Sequence, residues 1–213
     1  LADTIVHRED IRELTPRFVL NAARLAKGDI ALLAGGPPCQ AFSVFGKRRG
    51  RTDKRGQLVY EYFRMISQLQ PETFVFENVF GLLTVEGGQL FKEVCNALAE
   101  PKKGLKYTLS VLRLNAVDFG VPQFRDRIFV IGSRAGKRIE NIEPLTREPN
   151  AFLPQNTSCW RTVADAFRDL PDLGGDVPNH TGRSHSDAII QRYASMSPGE
   201  RDRHTRINKL DLE

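Results

Sequence analysis

The sequence predicts an α/β fold with a mixed sheet, and three observations support that class. Apolar strands and amphipathic helices alternate up to about residue 100, as they do in units that build a parallel sheet. Two more strands then follow one another without a helix between them, which indicates an antiparallel part. The chain has 213 residues, 40% of them hydrophobic, which is enough for one large domain or two small ones.

Three helices are predicted in the first half of the chain. Thr15 suits an N-cap, Pro16 suits the first helical position and Gly28 is a stop signal, so residues 17–26 are predicted to be helical. Apolar residues at helical spacing predict two more helices, at residues 57–70 and 88–100. Cys95 lies on the apolar face of the third helix and is expected to be a buried core thiol.

Four strands are predicted beside these helices. Residues 29–34 form a continuous apolar run before Gly35 and Gly36, as expected of a strand covered on both faces. Residues 73–77, 107–114 and 127–132 complete the sheet. Ligands of such sheets bind at the carboxyl ends of strands, so the loops after Ala34 and Glu77 are expected to face one cleft.

The chain changes character near residue 144. Prolines become frequent, apolar runs become rare, and only short helices are predicted, at residues 162–170 and 187–193. We interpret residues 1–143 as one domain and residues 144–213 as an irregular second region.

The basic residues are concentrated in one short segment. Six Lys or Arg residues and one Asp stand between Gly46 and Gly56, so this segment accounts for the whole net charge of +5. A basic loop on a neutral body is typical of polyanion binding, because cations that meet phosphates release counterions. A solvated surface loop explains the charge of the segment equally well.

Composition excludes several classes of protein. No run of about 18 apolar residues is available to span a bilayer, so an integral membrane protein is excluded. Three cysteines at spacings of 56 and 64 residues suit neither a disulfide framework nor a zinc ribbon, and the four histidines show no ligand spacing. We therefore expect no metal and a reducing, cytoplasmic compartment.

Three short blocks carry residues suited to chemistry. Cys39 follows two prolines at the mouth of a strand, where an exposed thiolate could act as a nucleophile, although an inert surface cysteine is a comparable explanation. Glu77 ends another strand, where burial would favour proton donation and solvation would not. Arg125 and Arg127 share one side of a strand by its period of two, a pattern that is also common on edge strands.

Together the three blocks closely resemble a known family. Gly-Gly-Pro-Pro-Cys-Gln, Glu-Asn-Val and Gln-Phe-Arg-Asp-Arg are similar, in order and separation, to motifs IV, VI and VIII of the carbon-5 cytosine-specific DNA methyltransferases of bacterial type. Asp10-Ile11 resembles the adenine-binding pair of that family, and Arg55-Gly56-Gln57-Leu58 resembles its motif V. Residues 161–166 are similar to the segment that enters target recognition.

The resemblance implies a Rossmann-like fold that depends on S-adenosylmethionine, and a role for each block. Cys39 would attack carbon 6 of cytosine, Glu77 would hold or protonate N3, and Arg125 and Arg127 would anchor the base. The target must then be flipped out of double-stranded DNA. Asn78 would fix the catalytic loop. The implied cofactor-binding residues are Asp10, Ile11, Pro38 and Leu58, and the implied DNA-binding residues are Gln40, Ser43, Lys47, Arg48, Arg49 and Arg55.

The resemblance also sets expectations for the whole protein. Residues 1–143 would be the catalytic domain and residues 144–213 part of the target-recognition region. The Gly-rich motif I, the acidic motif II and motifs IX and X of the family are absent from the sequence, so we expect a fragment that binds S-adenosylmethionine weakly on its own. The expected enzyme is a monomer of the bacterial cytoplasm, associated with the nucleoid and with restriction-modification.

Two alternatives remain open at this point. A tRNA cytosine methyltransferase can carry the same three blocks, and a long recognition region after residue 145 would argue against it. An inactive DNA-binding remnant is the other alternative. Retention of Cys39, Glu77 and both arginines argues against such a remnant, whereas the missing cofactor motif argues for it.

Overall fold

A computed structural model of the chain describes residues 4–38, 57–149, 158–170, 182 and 184–197. Its main sheet has four strands in the spatial order β1-β2-β4-β3. β1 and β2 are parallel, whereas β4 is antiparallel to both β2 and β3. The predicted α/β class and mixed sheet are therefore confirmed. The strands are β1 (Leu32–Gly35), β2 (Thr73–Val79), β3 (Thr108–Asn115) and β4 (Asp126–Ser133).

The three predicted helices are present as α1 (Pro16–Ala23), α2 (Gln57–Leu69) and α3 (Gln89–Ala99). Thr15 caps α1 as expected, because its hydroxyl oxygen accepts a hydrogen bond from the Phe18 N–H at 3.1 Å. This helix ends earlier than predicted. Arg24 takes a left-handed conformation with φ 55°, and its N–H bonds back to the carbonyl of Asn21, which stops the helix before residue 26.

The core lies between one face of the sheet and the helices α2 and α3. Phe74, Phe76, Ile128 and Val130 form the sheet side of this core and are fully buried. Each such side chain contributes about 1.5–3 kcal/mol through removal of apolar surface from water. The helices supply Val59, Tyr62, Ile66, Leu90, Val94 and Leu98.

The prediction that β1 is covered on both faces is wrong. Leu32 is 56% exposed and Ala34 is also exposed, while Leu33 packs against the core. Among the described residues β1 pairs with β2 alone, so it lies at the edge of the sheet and only one of its faces is covered. The continuous apolar run indicated the strand correctly but not its surroundings.

Cys95 differs from its prediction in degree. The residue is only half-buried on α3, beside the fully buried Val94. Burial raises the pKa of its thiol to about 11, so the group stays protonated and unreactive at neutral pH.

Tyr62 of α2 holds β1 and β2 together within the segment where the two strands pair. Its hydroxyl donates to the Val75 carbonyl oxygen at 2.7 Å and lies 3.2 Å from the Leu33 carbonyl oxygen. Burial raises the pKa of this hydroxyl, which keeps it a hydrogen-bond donor. The hydroxyl thereby fixes β1 and β2 side by side.

The remainder of the chain contains short elements. A two-stranded parallel pair is formed by β5 (Thr146–Arg147) and β6 (Ser158–Cys159), and the two predicted helices are present as α4 (Val163–Phe167) and α5 (Asp187–Ala194). The chain divides into two compact units, Leu1–Ala166 and Phe167–Glu213. The boundary predicted at residue 143 divides a catalytic domain from a target-recognition region, and this functional division stays a prediction.

A substitution at Gly132 tests the packing of the core. A Cβ atom at this position of β4 would lie 2.1 Å from Cε1 of the fully buried Phe74 ring. We expect Gly132→Ala to lower the free energy of unfolding by about 1–3 kcal/mol, because an overpacked core must shift. Gly81→Ala is the matched control, since nothing lies within 4 Å of its added Cβ. Equal unfolding midpoints for the two variants in a denaturant titration would contradict this account of the core.

Candidate active site

Glu77 of β2 and Arg127 of β4 form an ion pair at one end of the sheet. The antiparallel register pairs Glu77 with Phe129 and Val79 with Arg127. Because alternate residues of a strand share a face, Glu77 and Arg127 are diagonal neighbours on the same side. Arg127 Nε lies 2.7 Å from Glu77 Oε1, which is the distance of a charge-assisted hydrogen bond.

The Glu77 side chain is half-buried, between the buried acid and the solvated strand-end glutamate that the sequence left open. Its side chain is 35% exposed, compared with 18% for Arg127. The carboxylate therefore lies at the opening of the site, because β2 ends two residues later and leaves it open to solvent. Arg127 is the more buried partner, and its Nη1 also donates to the backbone carbonyl of Asp126 at 2.8 Å.

The segment after β1 meets this ion pair closely. A Cβ atom on Gly36 would lie 2.5 Å from Glu77 Oε2, so the position has no room for a side chain. The loops after β1 and β2 thus face one cleft, as the parallel arrangement of these strands predicts. The cleft has a volume of about 170 Å³ and is lined by Gly36, Pro37, Pro38, Glu77, Asn78, Val79, Arg125 and Arg127.

Asn78 ties the two loops together. Its side chain is buried, with the residue only 3% exposed, and its Nδ2 donates to the Pro37 carbonyl oxygen at 3.0 Å. Its Oδ1 accepts a hydrogen bond from the Val79 N–H at 2.9 Å. The amide therefore fixes the backbone that leads into Pro38 and Cys39, which agrees with the positioning role expected from the sequence.

Arg125 lies just before β4 and is positioned through its backbone. Asn115, the last residue of β3, accepts hydrogen bonds at Oδ1 from the N–H groups of Arg125 (2.9 Å) and Val117 (3.2 Å). The Ala116 N–H donates to the Arg125 carbonyl oxygen at 3.0 Å. Asn115 was not identified from the sequence, although an asparagine directly after an alternating strand is a recognisable turn signal.

Several predicted residues lie outside the described part of the chain. These are Cys39 and the DNA-binding candidates Gln40, Ser43, Lys47, Arg48, Arg49 and Arg55. Cys39 follows Pro38, which lines the cleft, directly in the chain. The roles of these residues stay predictions.

The adenine-binding candidates lie on a separate turn that is tied to α2. Arg64 Nη2 donates to the carbonyl oxygens of Ile11 and Leu14, at 3.0 Å each, and holds this turn against the helix that begins beside Leu58. Asp10 and Ile11 do not line the cleft around Glu77, whereas Pro38 does. The cofactor-binding candidates are therefore divided between the turn and the cleft.

Asp10 keeps limited capacity for a further partner. Arg12 donates to its carboxylate through its backbone N–H and its Nε, each at 2.9 Å to Oδ1, and through Nη2 to Oδ2. The hydrogen bonds from Arg12 lower the pKa of Asp10 to about 2. A carboxylate offers about four acceptor sites, so one at Oδ2 remains for an exocyclic amine.

The described residues contain neither a metal site nor a membrane-spanning helix. Within the described ranges, no three His, Cys, Asp or Glu side chains are grouped so that they could hold a metal ion. No helix in this part of the chain has the length and apolar character to cross a membrane.

The chain matches known DNA methyltransferases in sequence. The family model for the C-5 cytosine-specific DNA methylases matches residues 3–212. Type II methyltransferase M.AquIA of Picosynechococcus sp. is 38% identical over 180 residues, which are 80% of this chain and 73% of that protein. Type II methyltransferase M.AgeI of Thalassovita gelatinovora is 35% identical over 182 residues, which are 80% of this chain and 41% of that protein. The chain thus spans less than half the length of the second relative.

A solved structure confirms the fold class. A protein from E. coli, assigned as a prophage-encoded DNA modification methyltransferase, superposes with a TM-score of 0.62 at 26% identity. The match covers 93% of this chain and 64% of that one. The resemblance found in the three short blocks therefore extends over nearly the whole sequence, and the chain belongs to the family of C-5 cytosine-specific DNA methylases, the DNA (cytosine-5-)-methyltransferases.

Proposed function

We propose that this chain carries the catalytic centre of an enzyme that methylates carbon 5 of cytosine in double-stranded DNA. The observation that supports it most is the cleft in which Glu77, Arg125 and Arg127 surround the backbone leading to Cys39. A carboxylate, two guanidinium groups and a thiol are the groups that a cytosine ring needs for activation at carbon 5. S-adenosylmethionine is the methyl donor that membership of the family implies.

Four residues, Cys39, Glu77, Arg125 and Arg127, each have a task in the proposed reaction. The Cys39 thiolate adds to carbon 6, and the electron pair of the 5,6 double bond moves to carbon 5. The ring becomes an enamine whose carbon 5 is nucleophilic. Glu77 holds or protonates N3 and so stabilises the charge that develops on the ring. Arg127 orients the Glu77 carboxylate through the 2.7 Å contact and, with Arg125, binds the base at its O2.

The methyl donor is held by residues of both regions of the site. When bound, S-adenosylmethionine supplies the electrophilic methyl group that carbon 5 takes up. Asp10 would accept a hydrogen bond from the adenine amine at its remaining site, and Ile11, Leu58 and Pro38 would supply apolar contacts. After the methyl group has been transferred and the sulfonium of the donor has become a neutral thioether, solvent water takes the carbon-5 proton, N3 returns any proton it holds to Glu77, and the Cys39 thiolate is eliminated as the 5,6 double bond re-forms.

The substrate must enter the cleft as an extruded nucleotide. Carbon 6 of a stacked cytosine is covered by the neighbouring base pairs and cannot be reached by a protein nucleophile, so the base is flipped out of the duplex. The basic segment between Gly46 and Gly56 is proposed to follow the phosphates, with Gln40 and Ser43 beside it. The monomeric state and the cytoplasmic, nucleoid-associated location stay predictions.

Cys39 is tested by a mechanism-based trap. Fluorine at carbon 5 cannot leave as a proton does, so duplex DNA with 5-fluorocytosine should capture the full-length protein covalently through Cys39. Cys39→Ser should abolish both capture and methylation, whereas Cys95→Ser and Cys159→Ser should preserve them. An adduct mapped by mass spectrometry to another residue, or methylation by the Cys39→Ser variant, would refute the mechanism. Labelling of tRNA in preference to DNA would support the tRNA alternative instead.

Glu77 is tested by its isosteric amide. We expect Glu77→Gln to lower the methylation rate by about 100-fold or more while DNA affinity changes little, because general acid catalysis contributes about 10²–10⁴-fold. Single-turnover rates and filter binding measure the two quantities. The matched control is Glu143→Gln, since Glu143 pairs with Arg147 at 3.8 Å and is exposed. A similar rate for both variants would remove Glu77 from the mechanism.

Asn78 is tested as a positioning residue. We expect Asn78→Ala to slow covalent capture by 5-fluorocytosine DNA about tenfold, because the hydrogen bond that holds the half-buried Pro37 carbonyl is lost, at a cost of about 1 kcal/mol. The capture rate is measured well below the unfolding midpoint, with DNA affinity as a second readout. Asn141→Ala removes an exposed asparagine bonded to Glu143 and serves as control. A capture rate equal to that of the control would leave Asn78 a purely structural residue.

A further inference from the structure

An exposed aromatic residue directly precedes, in the chain, an arginine that lines the cleft. Phe124 precedes Arg125 in the chain and is 73% exposed, more than any other aromatic residue among the large exposed hydrophobics of the described part of the chain. An exposed phenyl ring contributes little to folding, and a large apolar group kept at the surface is typical of a contact site. Phe124 has no role in the proposed methyl-transfer reaction.

The ring of Phe124 is supported by Trp160. The two ring centroids are 5.2 Å apart and the rings are nearly perpendicular, at 88°. Edge-to-face pairs of this kind stabilise by about 0.5–1.5 kcal/mol beyond the area they bury. The pair holds the Phe124 ring in place while most of its surface stays exposed.

Trp160 is itself anchored from two sides. Its indole Nε1 donates to Asp118 Oδ1 at 3.0 Å, and its backbone N–H donates to the Arg147 carbonyl oxygen at 2.8 Å. Asp118 belongs to the same turn between β3 and β4 that positions Arg125. The aromatic pair and the arginine are therefore parts of one hydrogen-bonded arrangement.

The position of Phe124 suits contact with a nucleic acid strand. Phe124 and Arg125 are consecutive residues, so their Cα atoms are about 3.8 Å apart. When a cytosine enters the cleft that Arg125 lines, the neighbouring nucleotides of the same strand come within reach of the next side chain along. Arg125 supplies positive charge at this place, which complements the phosphates.

We propose that Phe124, supported by Trp160, packs against a nucleotide adjacent to the flipped cytosine in duplex DNA. This inference rests on the proposed function and adds a contact to it. The contact stabilises the opened duplex by replacing part of the stacking that is lost when the base leaves. It is tolerant of sequence, because every base and sugar presents an apolar face to a phenyl ring.

Steady-state kinetics of the full-length protein test the contact. Unmethylated plasmid DNA is the substrate, because a long duplex contains many short recognition sequences, and labelled methyl incorporation is followed against DNA concentration. We expect Phe124→Ala to raise the KM for DNA roughly tenfold, in keeping with the effect of alanine substitution at aromatic stacking sites. The turnover rate at saturating DNA should change less than about twofold. Phe124→Trp should restore the KM, and Phe124→Leu should not.

The control for lost apolar surface is Val111→Ala. Val111 lies in the middle of β3 and is 47% exposed, so the variant loses exposed apolar surface away from the turn. Its KM should match that of the unaltered protein. Equal KM values for Phe124→Ala and Val111→Ala would overturn the proposed contact while leaving the catalytic function standing.

Fluorescence gives a second readout that does not depend on turnover. Trp160 is the single tryptophan of these 213 residues, and the emission that is lost in a Trp160→Phe variant reports on this pair. Addition of duplex DNA should shift the emission of the unaltered protein and shift that of Phe124→Ala much less. No shift at saturating DNA, or a shift that depends on protein concentration without DNA and so indicates a second copy, would overturn the inference. An unaltered protein that shows the DNA-dependent shift but no methylation would refute the proposed function and keep the DNA contact.

Discussion

The ion pair between Glu77 and Arg127 joins β2 to β4, and the arrangement of the cleft depends on it. The two residues are 50 positions apart in the chain and come together only because the strands are antiparallel in one specific register. A shift of that register by one residue would turn one partner to the opposite face of the sheet. The tyrosine hydroxyl that joins β1 to β2 completes the arrangement, because it brings the third segment to the same edge.

Close approach is the second constraint on the site. Gly36 leaves room for the Glu77 carboxylate and Asn78 bonds to the Pro37 carbonyl, so the backbone before Cys39 is held by one small residue and one buried amide. A similar division applies at the opposite wall, where Asn115 holds the backbone of Arg125. The groups assigned to chemistry are thus positioned by neighbours that have no part in it. This arrangement lets the reacting side chains stay accessible to a substrate while their backbones remain rigid.

Much of the fold followed from periodicity. Most elements begin and end within a few residues of their predicted limits, namely the helices α2 and α3 and the strands β2, β3 and β4. Apolar spacing predicts them because it depends on neighbours in the chain. The predictions that were wrong concern how far a residue is covered by the rest of the protein. An apolar run suggested that β1 was covered on both faces, yet Leu32 is exposed at a sheet edge. Cys95 is less buried than its place on the apolar face of a helix suggested, since burial depends on what packs from elsewhere in the chain.

The sequence by itself indicated the family, the order of the elements and the candidate residues of the site, because short motifs and local periods are written in neighbouring residues. Only the tertiary structure decided that Arg127 rather than Arg125 pairs with Glu77, that Asn78 bonds to the Pro37 carbonyl, and that Trp160 supports Phe124. Those contacts join residues that are distant in the chain. Strand register and side-chain packing set such contacts, and no local pattern encodes them.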